Sequence, residues 1–382
     1  MTAQTDAMAS QDPARRRTLH TWSSADLPWT LQRAETEQQP LLDLASNDYL
    51  GLSRHPAVID AATEALHRDG VGAGASRLVT GSRPCHARFE ADLADWLGRS
   101  CVLLFPSGFQ ANLAAVCILA DRHTTVLADR LIHHSLLVGV RASGARLQRF
   151  QHNDLTDLER RLQAMAGQPG SLVVLSESLF SMEGTSPDVA ALAAVCQRFG
   201  ADLLMDEAHA LGVLGAEGRG LCFGIEPVRL ISGTFGKAFG SGGAFLACDA
   251  DLGDALLQTS GAFRYTTALA PPLVAGAQTA LDLIRSHPHW SQQLQQRASH
   301  WRDALEGQGW SRPAGVGPVL PLLLGSDTAA LAAQAVLEEH GLLSVAIRPP
   351  SVPEGTARLR LVLRRDLPNE TVEQLLKALP SP

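Results

Sequence analysis

From about residue 100 the chain alternates short, nearly all-apolar runs with longer stretches whose apolar residues recur at helical spacing. Cys101-Val-Leu-Leu-Phe105 predicts a buried strand and 109–120 a helix. A strand at 124–128, a helix near 135–142, a strand at 147–150 and a helix after Asp154 follow. Further strands are expected at 172–176 and 201–206, with a helix at 189–199 between them. Strands that alternate with helices imply right-handed crossovers and a mainly parallel sheet flanked by helices. After Phe245 helices dominate, including 272–285 and 289–308. The last 65 or so residues read as strand, helix, strand, strand, helix, punctuated by Pro318, Pro349, Pro350 and Pro353. The expected fold class is therefore α/β, with a large sheet domain and a small C-terminal α+β domain. The expected partition is an N-terminal segment (1–50), a large domain (51–285) and a small domain (286–382), with residues 1–14 lacking order.

Composition narrows the function classes. The chain has 382 residues, 45% of them hydrophobic, and a net charge of −7, which disfavours nucleic acid as the main partner. The six cysteines are never closer than 16 positions, so no C-x-x-C metal or redox pair exists, and no metal site is expected. They read as reduced core thiols of a cytoplasmic protein. Arg15, Arg16 and Arg17 are not followed by an apolar stretch, and no run suits a membrane span, so neither a signal nor a membrane partner is expected.

Two motifs mislead. Gly70-Val-Gly72-Ala-Gly74 suggests dinucleotide binding, but that fingerprint must follow a strand, and 57–68 reads as a helix. Asp206-Glu-Ala-His209 is spelled like a helicase box, yet the chain has no phosphate loop to accompany it.

Three other features converge. Phe105-Pro-Ser107-Gly108-Phe109 joins a strand to a helix through small residues, so the free amides of the helix N-terminus can receive a phosphate. Leu203-Leu-Met-Asp206 ends an apolar strand in a carboxylate at the sheet edge where such folds bind ligands. Ser232-Gly-Thr234-Phe-Gly-Lys237-Ala-Phe-Gly-Ser-Gly-Gly243 surrounds one lysine with small residues, as a planar ring approaching its amine would require. Phosphate cup, carboxylate and lysine are the set that pyridoxal 5′-phosphate demands: an anchor, a partner for the pyridine nitrogen and an amine for the aldehyde.

With these motifs the sequence resembles the fold-type-I pyridoxal-phosphate enzymes, and more narrowly the α-oxoamine synthases. Asn47-Asp-Tyr-Leu-Gly-Leu, His133, Glu177-Ser-Leu-Phe-Ser181-Met-Glu-Gly, Asp206-Glu-Ala-His209 and Gly233-Thr-Phe-Gly-Lys237 carry the likeness. It implies an acyltransferase with Lys237, His133, Asp206 and His209 in catalysis. It further implies that Ser107, Gly108, Phe109, Ser181 and Thr234 hold the cofactor, with Thr266 and Thr267 reaching it across a homodimer. Arg360 and Asn47 are implied for the amino-acid carboxylate, with His133, Arg15 and Ser351 as further substrate contacts. Ala346-Ile-Arg348-Pro-Pro-Ser351-Val-Pro-Glu-Gly-Thr-Ala-Arg358-Leu-Arg360-Leu is most similar to the branch serving biotin synthesis. That likeness implies L-alanine and a pimeloyl thioester, on CoA or acyl carrier protein, as substrates. Ser351 stands where threonine is commoner, and 261–264 departs from the usual pattern. The alternatives are a glycine-using member of the family, an aminotransferase, or a non-catalytic scaffold or regulator on the same fold.

Overall fold

The computed structural model describes residues 13–34 and 39–380. Of the stretch expected to lack order, residues 1–12 lie outside the described residues. Pro13–Arg15 forms a short 3-10 turn instead, held where Arg15 pairs with Asp327 and Glu354.

The chain divides into two compact units. One holds Leu52–Phe180 and Thr185–Gln293; the other gathers the segment up to Gly51, Ser181–Gly184 and everything from Leu294 onward. The N-terminal segment therefore belongs with the C-terminal region and forms no separate part. The cause is strand pairing: Leu41–Asp43 runs parallel to Leu342–Leu343, closing a four-stranded sheet with Trp22–Ser24 and Thr30–Arg33. A three-stranded antiparallel sheet completes that unit, with Ala357–Val362 between Val319–Gly325 and Val345–Ile347.

The larger unit is built on a seven-stranded sheet. Its strands are β1 (Cys101–Phe105), β2 (Thr125–Asp129), β3 (Arg146–Phe150), β4 (Leu172–Glu177), β5 (Asp202–Asp206), β6 (Val228–Thr234) and β7 (Ala244–Cys248). They lie in the order β1-β7-β6-β5-β4-β2-β3. Only β7 runs antiparallel to its neighbours, so the sheet is mainly parallel as its sequence implies. Strands β6 and β7 were not expected, because the glycines between them read as one long loop. Cys101 and Cys248 face each other across the β1–β7 ladder, a pairing that sequence spacing hides. All six thiols are free, and Cys117 is exposed where a core position was expected.

Two helices matter for the site: α1 (Gly108–Leu119) after β1, and α2 (His134–Ser143) after β2. Helix α1 packs apolar Ala111, Ala114, Ala115 and Val116 into the core. Among the described residues no helix is long and apolar enough to cross a membrane.

Candidate active site

The site lies at the C-terminal ends of the parallel strands of the larger unit. There Glu177 of β4, Asp206 of β5 and Ser232 of β6 stand side by side in register. A cavity of about 200 Å³ opens over them, bounded by the first turn of α1 and by His133, His209, Thr234 and Lys237.

Asp206 is fixed at both oxygens. Its Oδ1 accepts the Ala208 amide at 2.9 Å, and its Oδ2 accepts Asn112 Nδ2 at 2.7 Å. The side chain is buried, and these two donors hold it in one orientation. His209 is also buried beside the cavity.

Lys237 lies on the loop from β6 to β7. Phe235 and Phe239 on either side of it are fully buried and join Phe89 and Phe245 in one aromatic cluster. The lysine backbone is thus clamped two residues before and two after. Gly240 has φ +61, and a Cβ there would meet the Ser53 amide nitrogen at 2.2 Å, so only glycine turns this loop. A Cβ on Gly233 would strike Leu211 and Phe245 at 2.5 Å. The small residues around the lysine thus serve packing as well as access.

At the other end, Ser107 Oγ caps α1 by accepting the Gln110 amide at 3.3 Å. The Gly108 and Phe109 amides occupy the first turn, where helix geometry gives them no internal acceptor. Thr234 packs against Gly108, but its hydroxyl donates to the Gly243 carbonyl at 2.9 Å and accepts the Gly236 amide. In this structure it shapes the loop.

His133 is the N-cap of α2. Its amide donates to Glu177 Oε1, and its Nδ1 lies 2.7 Å from Ser135 Oγ. Burial lowers the His133 pKa, and nearby Lys237 and His134 lower it further against the pull of Asp206. The ring is therefore neutral at neutral pH.

These residues fit pyridoxal 5′-phosphate. The cavity offers amides for a phosphate, a buried carboxylate for a ring nitrogen and an amine for an aldehyde. Ser232 Oγ, buried at its wall, has no hydrogen-bond partner among the described residues. Thr266 and Thr267 are not among the residues that line this cavity, and Ser181 belongs to the smaller unit. The Ser181 carbonyl accepts Arg360 Nε at 2.7 Å, and Thr267 bridges Ser76.

In the smaller unit, Arg360 and Asn47 meet as expected, with Arg360 Nη2 donating to Asn47 Oδ1 at 2.7 Å. Arg360 is 6% exposed, yet among the described residues it forms no ion pair. Its neighbour Arg358 pairs with Glu183, and Arg364 faces Asp43, Asp48 and Asp366. Buried Arg302 is satisfied by carbonyls, among them those of Pro313, Ala298 and Gly317. A buried guanidinium whose hydrogen-bond partners, Ser181, Asn47 and Tyr49, carry no negative charge is an incomplete site for an anion. Next to it Tyr49 is pushed up to about 12 by burial, so its hydroxyl stays protonated.

Arg15 forms a bidentate pair with Glu354 and donates one further bond, from Nε, to Asp327. A separate cavity of about 550 Å³ in this unit is lined instead by Arg16, Arg17, Arg348 and Ser351, with Leu31 and Leu331 among its apolar walls. Sequence reasoning missed Asn112, Ser135 and Ser232. One signal existed for the first: Asn112 is the one amide in the otherwise apolar stretch 111–119 of α1.

Comparison with known proteins agrees with the fold. The family model for aminotransferase class I and II matches residues 39–379. The chain belongs to this family, and with it to the fold-type-I pyridoxal-phosphate enzymes. Within the family it is 43% identical over 348 residues to an 8-amino-7-oxononanoate synthase of Acidithiobacillus ferrooxidans, covering 90% of this chain and 88% of the relative. A synthase of the same name from Stutzerimonas stutzeri is 40% identical, covering 96% and 94%. Among solved structures, a Sphingomonas wittichii serine palmitoyltransferase superposes with a TM-score of 0.89 at 26% identity, covering 98% and 94%. An 8-amino-7-oxononanoate synthase from Francisella tularensis gives 0.77 at 25% identity, covering 88% and 96%.

Proposed function

We propose that the chain is an acyltransferase that condenses L-alanine with a pimeloyl thioester, releasing CO₂ and the free thiol and forming 8-amino-7-oxononanoate for biotin synthesis. The observation that carries this reading is the 40–43% identity, over nine-tenths of the chain, to relatives bearing that name. The likeness to serine palmitoyltransferase is closer in shape but far lower in sequence, and it supports the fold and cofactor more than the substrates.

In this reading the Gly108 and Phe109 amides hold the cofactor phosphate, Asp206 keeps the ring nitrogen protonated, and His209 donates to the ring oxygen. Once bound, the cofactor supplies an aldehyde and an electron-withdrawing ring. Lys237 would hold that aldehyde and would move a proton at the substrate Cα. Asn47 and Arg360 receive the alanine carboxylate. The cavity bearing Arg16, Arg17, Arg348 and Ser351 has the mixed apolar and basic walls that a dicarboxylic acyl chain calls for. The thioester arrives on CoA or on acyl carrier protein.

A second copy of the chain belongs to this proposal. Val71, Val79 and Tyr265 are each more than 70% exposed, and Phe109 at the phosphate turn is 47% exposed. Apolar side chains in these numbers suit a partner surface, which makes the homodimer the expected assembly.

The test is an assay of L-alanine or glycine against a panel of acyl thioesters, with the ketone identified by mass spectrometry. Alanine with the pimeloyl donor is expected to be fastest. Faster turnover of glycine with acetyl- or succinyl-CoA sinks the substrate assignment and leaves the cofactor reading standing.

Arg360→Ala is expected to raise the KM for L-alanine steeply, by the equivalent of about 2–5 kcal/mol, as when one partner of a buried charge pair is lost. The cofactor's visible absorption should not change. Lysine restores only part of the loss, because an ammonium lacks the planar fork. Titrating alanine into the variant checks this, and an unchanged dissociation constant moves the clamp elsewhere.

A further inference from the structure

The least expected feature of the site is a continuous chain of hydrogen bonds that is buried at Asp206, Asn112 and Ser135 and ends on the exposed His133. Asn112 Nδ2 donates to Asp206 Oδ2 at 2.7 Å and to Ser135 Oγ at 2.9 Å. Ser135 Oγ in turn lies 2.7 Å from His133 Nδ1. Asn112 is 4% exposed and Ser135 fully buried, so water does not compete for the two bonds that Asn112 donates.

The direction of each bond follows from the inventory of protons. Asp206 only accepts, so Asn112 must turn its NH₂ towards it; the flipped amide would set oxygen against carboxylate. The same NH₂ carries a second proton, which goes to Ser135 Oγ. With an acceptor position of the serine oxygen filled, its own proton needs an acceptor, and His133 Nδ1 is the one in reach. The backbone agrees independently. His133 caps α2 by accepting the Ser135 amide on the same Nδ1, at 3.3 Å. Two donors therefore converge on Nδ1, at a helix N-terminus whose dipole opposes a positive ring. A proton on Nδ1 would face both of them.

We propose that Asn112 and Ser135 are positioning residues that lock His133 in the tautomer with its proton on Nε2, making it a fixed hydrogen-bond donor in the cavity and not a proton acceptor. The consequence is a division of labour. His133 holds a substrate oxygen as negative charge gathers on it, and Lys237 is left as the one base for the Cα proton. Asp206 anchors the far end of the chain, so one amide orients the groups that meet the two ends of the reacting system. The tautomer rests on geometry alone; its use in the condensation rests on the function proposed above.

The experiment is ¹⁵N NMR of the holoenzyme labelled at histidine, with the His133 signals assigned by their loss in His133→Gln. Wild type at neutral pH should show an unprotonated Nδ1 and a protonated Nε2. Ser135→Ala, and separately Asn112→Leu, which removes no atom touching His133, should each blur that pattern towards a mixture of tautomers. Each should also lower kcat by roughly ten- to a hundredfold, the scale on which outer partners of a working histidine act. The wild-type spectrum decides the tautomer even if a variant fails to fold. A proton on Nδ1, or a charged ring, overturns the proposal, as does an unchanged His133 pattern in both folded variants. A correct tautomer in an enzyme that does not condense alanine would leave this proposal intact and remove the function above.

Discussion

Lys237→Ala is expected to abolish turnover while the protein stays folded and keeps its place for the cofactor phosphate. The side chain to be removed is half-buried, but its loop does not depend on it. Phe235 and Phe239 anchor the backbone on either side, and the Gly240 amide bonds to the Lys237 carbonyl, which alanine retains. The variant loses both the covalent hold on the cofactor and the group that moves the Cα proton. Proton transfer alone is worth roughly 10²–10⁴ in rate, so activity should fall below detection. Borohydride treatment of the wild type, followed by peptide mass spectrometry, should find the cofactor fixed to Lys237. A tag on Lys377, or appreciable turnover in the variant, removes Lys237 from its role.

Much of this was legible in the sequence, and the reasons are local. Strands β1, β4 and β5 are short apolar runs, the last two closed by a carboxylate, a signal that needs no knowledge of tertiary contacts. The helix after Ser107 begins at the expected place because serine caps it. Lys237 stood out through the residues around it, since small neighbours on both sides of a lysine have few structural explanations. The strands β6 and β7 were missed for the same reason that Lys237 was found. Glycines at 233, 240 and 243 suppress strand propensity, and the pairing of β7 with both β1 and β6 is supplied by tertiary packing.

What sequence could not show is who faces whom. Arg358 and Arg360 alternate onto one face of a strand, and nothing in their spacing says which is spent on a carboxylate. In the structure Glu183 pairs with Arg358, and among the described residues Arg360 has no acidic partner, which supports the proposed choice of Arg360. Arg15 is a similar case. The resemblance assigns it to substrate, while in the structure Asp327 and Glu354 claim its guanidinium and Arg16 and Arg17 line the cavity. Asn112 and Ser135 lie 23 positions apart and 94 and 71 from Asp206, so their meeting is a product of the fold alone.

Asp206→Asn should produce the second large loss, with the cofactor retained. A ring nitrogen stays protonated only beside a negative charge, and an amide oxygen carries none. The pull of the ring on electrons at Cα weakens accordingly, and removal of one such preorganised charge costs roughly 10²–10³ in kcat. The structure adds a second consequence. The Ala208 amide needs an acceptor, so the new side chain turns its oxygen that way and its NH₂ towards Asn112. Two NH₂ groups then face each other at a site where carboxylate and amide had met at 2.7 Å, and Asn112 must rotate or withdraw. The chain to Ser135 and His133 slackens with it. Asp206→Asn is therefore expected to lower kcat more than loss of the ring partner alone accounts for, while the cofactor phosphate, held by Gly108 and Phe109, keeps it bound. Asn112→Leu separates the two contributions, since it relieves the clash but leaves the charge question unchanged. In the double variant Asp206→Asn with Asn112→Leu, the loss should be smaller than the product of the two single losses. Steady-state kinetics with the cofactor content of each preparation measured alongside checks this. Near-wild-type kcat in Asp206→Asn would reduce Asp206 to a structural cap at the end of β5, and losses that multiply in the double variant would show that Asn112 acts apart from it.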